Sequence, residues 1–276
     1  ICPQCKSSYI KYFGIGTEKV ESEMARLFPQ GRISRMDTDA TTKRGSHEKI
    51  LSEFKKHEID ILVGTQMIAK GHDFPRVTLV GVVNADVTLN LPDFRASERT
   101  FNLLTQVAGR AGRGKEGGEV IVQTYAPGHY AILSASKHDY EKFYAEEIKS
   151  RKELSFPPFT HIVRLTLRSR NEKRAIDGAH KLKDFLTEKL SQRSGSTSGR
   201  QAGLPAGQAA ASGGKNIEIV GPAPSPIVKV RGFFRWNILL KGKNRSTMCE
   251  SLKKALSGYR SPAGTLLAID VDPISV

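Results

Sequence analysis

Ile59-Asp60-Ile61-Leu62-Val63-Gly64-Thr65-Gln66-Met67-Ile68-Ala69-Lys70-Gly71-His72-Asp73-Phe74-Pro75 begins as a short aliphatic run and breaks at Gly64 into residues that favour turns. A run of this length bounded by glycine reads as a buried strand over 59–64. Thr65 then leaves the C-terminal end of that strand, the edge at which open α/β sheets place their ligands. Gly71 and Asp73 lie in the following turn. Asp73 has two readings: an acceptor for a ribose hydroxyl, or a turn and capping residue ahead of Phe74-Pro75.

The same alternation extends on both sides. Residues 9–14, 32–36, 77–83 and 119–124 read as further strands, with helices over 18–28, 45–56 and 95–108 between them. Each helix is long enough to carry a parallel crossover, so the expectation is a doubly wound parallel α/β sheet. Residues 131–152 are helical in pattern and rich in charge, and the prolines of Leu154-Ser155-Phe156-Pro157-Pro158-Phe159 stop them. We place a domain boundary there, which gives an α/β domain over 9–154 and a second domain over 155–276.

In the second domain, 162–167 reads as a strand, 172–190 as a helix, 227–230 and 233–240 as strands, 246–256 as a helix and 266–271 as a strand. The order β-α-β-β-α-β predicts a smaller, ferredoxin-like α+β fold. Residues 191–215, mostly Ser, Gly, Ala and Gln, contain too little apolar area to offset their ordering entropy and read as a disordered insertion, either a tolerated loop expansion or a tether.

Gln106-Val107-Ala108-Gly109-Arg110-Ala111-Gly112-Arg113-Gly114 has the form Q-x-x-G-R-x-G-R at the end of the 95–108 helix. Two arginines three apart there stand on one face, and the glycines allow another surface close to the backbone. Arginine suits phosphate because its planar fork bonds two oxygens at once. The plainer reading is a solvated basic helix end followed by a glycine-rich turn.

The chain carries 43 Lys and Arg against 28 Asp and Glu, a formal charge of +15. The excess sits in the second domain, where residues 155–276 hold 20 basic and 8 acidic side chains. Such a balance attracts polyanions, chiefly nucleic acid, although a basic face also serves solubility. Around the 227–240 hairpin, Lys229, Arg231 and Arg235 interleave with Phe233, Phe234 and Trp236. On a continuous strand Arg231, Phe233 and Arg235 share one face, with Phe234 and Trp236 on the other, which is either core or a contact surface. The basic side would follow a phosphate backbone or receive an acidic peptide tail.

Three cysteines make a secreted disulfide framework implausible, and no stretch approaches the roughly 18 apolar residues of a membrane span. The expectation is a soluble, cytoplasmic protein. Cys2-Pro3-Gln4-Cys5 has the turn spacing of half a tetrahedral zinc site, or of a redox pair, and two further ligands must come from elsewhere. With Ile1 just ahead of it and no G-x-x-x-x-G-K-[S/T] loop or D-E-x-H in the chain, the sequence reads as part of a longer protein.

The stretches 63–75 and 106–114 resemble motifs V and VI of superfamily 2 helicases, in their order and contexts, and Phe13 to Glu18 with Arg35 to Asp39 resemble earlier elements of the same lobe. The run from Gly64 to Phe74, Asn84-Ala85-Asp86, Val230 to Trp236 and Val271-Asp272-Pro273 resemble the PriA family of bacterial primosomal, replication-restart helicases. Asn237 and Phe233 depart from the glutamine and basic residue of that family's pattern.

The resemblance implies a RecA-like second lobe of the P-loop NTPase fold, then the basic C-terminal domain, with residues 1–8 ending a zinc-binding segment. It implies that Arg110 and Arg113 reach the ATP γ-phosphate, one of them as an arginine finger, with Gln106 sensing the nucleotide. It implies that Gly71 and Asp73 approach the ribose, that Thr65 touches the DNA backbone, and that Cys2 and Cys5 bind Zn²⁺ with upstream cysteines. It further implies ATP and Mg²⁺ held together with a first lobe, 3′-to-5′ unwinding of stalled or recombined forks, and a bacterial, nucleoid-associated location. Implied partners are forked or single-stranded DNA, single-stranded DNA-binding protein, and primosome and helicase-loading proteins. The chain alone is expected not to hydrolyse ATP. The rival readings are another superfamily 2 DNA translocase and a DNA-binding scaffold with a relict helicase lobe.

Overall fold

The computed structural model describes residues 16–37, 46–65, 74, 76–109, 117–191 and 217–274. The chain divides into two compact units, Ile1–Asn90 with Ser97–Phe143, and Leu91–Ala96 with Tyr144–Val276. No helix among the described residues is long and apolar enough to cross a membrane. The strand expected over 9–14 and most of the 191–215 insertion lie outside the described residues.

Along the chain to Glu153 run α1 (Thr17–Leu27), β1 (Ile33–Met36), α2 (Ser46–Lys55), β2 (Ile61–Gly64), β3 (Leu79–Val82), α3 (Asp86–Leu89), α4 (Ala96–Ala108), β4 (Glu119–Val122), α5 (Tyr130–Ser136) and α6 (Tyr140–Glu153). β1 pairs with β2 in parallel, Ile33 opposite Ile61, and β3 with β4, Leu79 opposite Glu119. Parallel neighbours need a crossover, and α2 supplies the first while α3 and α4 lie in the second. Among the described residues the strands form two two-stranded ladders rather than the one continuous sheet expected.

Aliphatic and aromatic side chains at helical and strand period form the cores of this unit. Met36, Leu51 and Phe74 are buried together, and the Phe54 ring meets Phe74 edge-on at 5.0 Å. On α4, Phe101 and Leu104 pack against Ala131, Ile132 and Ala135 of α5, and Phe101 stacks on Phe143 at 4.3 Å. The single helix expected over 131–152 is two helices. His138 adopts a left-handed φ of 51°, and the Asp139 side chain accepts a bond from the Lys142 N–H at 2.9 Å, capping α6. The hydrophobic period continues across this junction, so only the Asp cap marks it in sequence.

β2 starts after Asp60 because that residue is taken up by Arg32. The Arg32 backbone N–H and Nε donate to Asp60 Oδ2 at 2.8 and 2.9 Å, and Nη2 donates to Oδ1 at 2.7 Å. The guanidinium bonds, then the backbone N–H, hold the Asp60 carboxyl far below the usual carboxylate range. A depressed folded-state pKa gives stability that is present above the unfolded value of about 4 and lost as pH falls toward the folded one. Asp60→Asn should therefore lower the melting temperature modestly at neutral pH, and the gap from wild type should close as the buffer is taken below about pH 4. A gap that does not change with pH would show that the carboxylate is not the stabilising group.

The second unit contains most of α6, then β5 (His161–Ser169), α7 (Glu172–Ser191), β6 (Glu218–Val230), β7 (Phe233–Gly242), α8 (Arg245–Leu256) and β8 (Thr265–Val271). Its four strands lie in the order β6-β7-β5-β8, every neighbouring pair antiparallel. β5 and β6, joined through α7, are separated by β7. Val163, Leu165 and Leu167 of β5 and Ile238 and Leu240 of β7 turn to one side and pack with Leu182, Leu186, Met248 and Leu252 of the helices.

β6 begins nine residues earlier than the strand expected at 227. Pro222, Pro224 and Pro226 argue against a central strand, but β6 is an edge strand, where a missing N–H is tolerated. Its pairing with β7 shifts register between Val220 and Ala223 and again between Pro224 and Lys229. Gly221 serves the first shift. Its φ is +102°, and a Cβ there would come within 2.9 Å of the Asn237 carbonyl oxygen.

Candidate functional site

In the first unit, three residues of the stretches that the sequence singled out, Asp37, Thr65 and Asp86, follow the C-terminal ends of β1, β2 and β3. Thr65 is exposed immediately after β2. After β1, Asp37 is buried and its carboxylate accepts a bond from the Thr17 hydroxyl at the start of α1. Arg35 lies 3.0 Å from Glu18, 3.6 Å from Glu21 and 3.5 Å from Asp37. Thr17, Glu18 and Glu21 thus meet Arg35 and Asp37 in one network that ties α1 to the end of β1.

Two other motif residues have structural work. Phe74 anchors the end of the 63–75 stretch in the core beside Met36 and Leu51. Asp86 is buried, and its carboxylate accepts bonds from the Thr124 hydroxyl and the Tyr125 N–H, both at 3.0 Å, which ties the end of β3 to that of β4. On α4, Phe101, Leu104 and Val107 face inward while Gln106 is exposed in the last turn. Gln106 is therefore free of packing duty and presented outward just before Gly109. Gly71, Asp73, Arg110, Arg113, Cys2 and Cys5 lie outside the described residues. Among the described residues no three His, Cys, Asp or Glu side chains gather to hold a metal, and Cys249 is a free thiol.

In the second unit the basic hairpin differs from its reading as a strand. Arg231 and Gly232 are not in a strand; they form the two-residue turn between β6 and β7, with φ of 49° and 81°. Both left-handed positions match the turn whose twist suits a tight hairpin, so Arg231 sits exposed at the tip instead of sharing a face with Phe233 and Arg235. Lys229 pairs across with Phe234 and places its ammonium 4.7 Å from that ring. Arg235 lies on the other side and donates Nε and Nη2 to the Ile227 carbonyl at 3.2 and 2.8 Å.

Trp236 is a correction. It lies on the side that packs against the helices and is partly buried in that core, its Nε1 shielded and without a hydrogen-bond partner among the described residues. A side chain spent on the core has little surface left for nucleic acid. Asn237, which departs from the resembled pattern, is buried, and its side-chain oxygen accepts bonds from Thr166 at 2.9 Å and Ser225 at 3.0 Å. Asp272, in the terminal Val271-Asp272-Pro273, lies 3.2 Å from His161 Nδ1 and 3.4 Å from Arg245 Nε. Its backbone N–H donates to the Ile162 carbonyl at 2.8 Å, which makes Asp272 a closing residue for β8 beside β5.

Sequence reasoning missed Arg168, Arg170 and Arg174, which surround the turn from β5 into α7. The only signal was their density, three arginines in seven residues from Arg168 to Arg174.

Two family models match the chain: the helicase conserved C-terminal domain over residues 10–115, and the primosomal protein N C-terminal domain over residues 152–274. The replication restart protein PriA of Bacillus subtilis is 42% identical over 99% of the chain, which spans 31% of that relative. Those of Synechocystis and Treponema pallidum are 39% and 40% identical over the whole chain, which spans 30% and 38% of them. The chain thus spans about a third of the length of these curated relatives.

Proposed function

Since the chain belongs to the family of the replication restart protein PriA, we propose that it forms the RecA-like second motor lobe and the ferredoxin-like C-terminal domain of an ATP-dependent, 3′-to-5′ DNA helicase that restarts stalled or recombined forks. The observation that carries this reading is the match of both units to that family in one chain, a helicase C-terminal domain followed by the domain particular to the primosomal protein. The exposure of Thr65 and Gln106 at the ends of their elements supports it, since a strand end and a helix end that face outward are placed to meet ligand.

In this reading ATP with Mg²⁺, held together with a first lobe, supplies the phosphoryl transfer that drives strand separation. Arg110 and Arg113 face its γ-phosphate, Gln106 senses the nucleotide, Gly71 and Asp73 approach the ribose, and Thr65 touches the DNA backbone. Cys2 and Cys5 bind Zn²⁺ with cysteines outside this chain. Lys229 and Arg231 at the hairpin tip, with Arg235 behind them, meet the phosphate backbone. Single-stranded DNA-binding protein and the primosome's loading proteins are the proposed partners.

The test is strand displacement by the full-length protein on partial duplexes with a 3′ or a 5′ single-stranded tail. ATP-dependent displacement with the 3′ tail and little with the 5′ tail is the expected result. DNA binding without displacement on either substrate would favour a scaffold with a relict lobe.

A further inference from the structure

At the corner where β5 runs into α7, the second unit holds a cleft of about 410 Å³ lined by Arg170, Asn171, Arg174, Phe233, Gly264 and Leu266 among others. The loop is held from within. The buried Ser169 hydroxyl donates to the Gly264 carbonyl at 2.9 Å and accepts from the Asn171 N–H at 3.2 Å, and the Asn171 side chain accepts the Arg174 N–H at 3.0 Å. Arg170 is held with its guanidinium 5.5 Å from the Phe233 ring centroid. Arg174 lies against Gly264, where an added Cβ would come within 3.0 Å of its Nη1.

Among the described residues no acidic side chain lines the cleft. The charge continues beyond it across the sheet. Leu266, in the cleft wall, pairs with Arg168, and Arg168 pairs directly with Arg235 on the next strand. Two cations side by side in register repel each other unless an anion lies between or above them. Arg235 turns its guanidinium to the Ile227 carbonyl of β6, which leaves Arg168 beside the cleft wall and Arg170 and Arg174 in it, and among the described residues none of these three makes an ion pair with a carboxylate.

We propose that this cleft binds phosphate groups of single-stranded DNA, a contact separate from the hairpin tip; the inference rests on the reading that the chain works on DNA. A row of separated forks fits a chain of phosphates, each fork bonding two oxygens. The single carboxylate of a peptide tail would leave most of the row unmatched. Phe233 and Leu266 offer an apolar wall for a sugar or base.

The experiment uses the 276-residue chain and a fluorescent oligothymidine of about 20 nucleotides, with Kd measured by anisotropy across a salt series. R170A/R174A is expected to weaken binding about tenfold or more near 0.1 M salt, and to lower the slope of log Kd against log salt by about 1.4, or roughly 0.7 for each lost phosphate contact. R170K/R174K, which keeps the charge, should keep most of that slope. K149A/K152A removes two exposed charges on α6 and should leave Kd near the wild-type value; an equal loss there would reduce the cleft to long-range charge and overturn the proposal. A wild-type chain that does not bind DNA sinks the DNA reading together with the inference. Wild-type binding with R170A/R174A unchanged sinks the inference alone. If the double variant instead loses a short acidic peptide while keeping DNA, the cleft belongs to a protein partner and the proposal fails. Near-ultraviolet dichroism checks folding, which both exposed arginines should leave intact.

Discussion

Arg113→Ala in the full-length protein is expected to lower DNA-stimulated ATP hydrolysis about a thousandfold, at the lower end of what an arginine finger supplies. A phosphoryl group in flight carries charge spread over its outer oxygens, and a guanidinium aimed at that charge acts mainly in the transition state. The loss should therefore appear in kcat more than in KM. Arg113→Lys should recover little, because an ammonium keeps the charge without the planar fork. Thermal unfolding and DNA affinity measured alongside should not change. A variant as active as wild type would remove Arg113 from the reaction and turn attention to Arg110. A wild type with no DNA-stimulated hydrolysis would remove the motor reading altogether.

The largest expected effect on stability is at Leu165. It is fully buried at the centre of β5, opposite Ile238 of β7 and Ile269 of β8, and packs in one cluster with Leu182 and Leu186 of α7 and Leu252 of α8. Leu165→Ala removes buried methyl groups and leaves a cavity that two flanking strands and two helices cannot close, at a cost of about 2–5 kcal/mol. That is a large part of the roughly 5–15 kcal/mol that holds a typical domain. The melting transition of the second unit should fall by about 10 °C or more, whereas Ile274→Ala, at a site 77% exposed, should shift it little. A Leu165→Ala chain that melts within a few degrees of wild type would mean that this cluster is not the core on which the unit depends.

The alternation of short aliphatic runs with helical segments was enough to reach the α/β character of the first unit, and the β-α-β-β-α-β order to reach the element sequence of the second. Both follow from period alone, because side chains repeat every two residues in a strand and about every 3.6 in a helix wherever the segment lies. The same local logic put Gln106 at the end of a helix and Thr65 at the end of a strand, where the structure places them. It failed at the junction of α5 and α6, where the period does not break and a single capped turn reverses nothing in the pattern.

The short motifs of the sequence were sufficient to reach the family, since Q-x-x-G-R-x-G-R and the 63–75 stretch keep their spacing whatever surrounds them. Which side chains meet was decided by the tertiary structure. Three prolines are compatible with β6 only because β6 is at the edge. Arg231 leaves the strand because the hairpin turns there, so Lys229 and Arg235 fall on opposite sides and Trp236 falls on the side that the helices cover. The cleft joins Arg170, Phe233 and Leu266, residues far apart in the chain that come together only when β7 and β8 pair on either side of β5. Register and edge position depend on partners distant in sequence, and the local period of a segment carries no information about them.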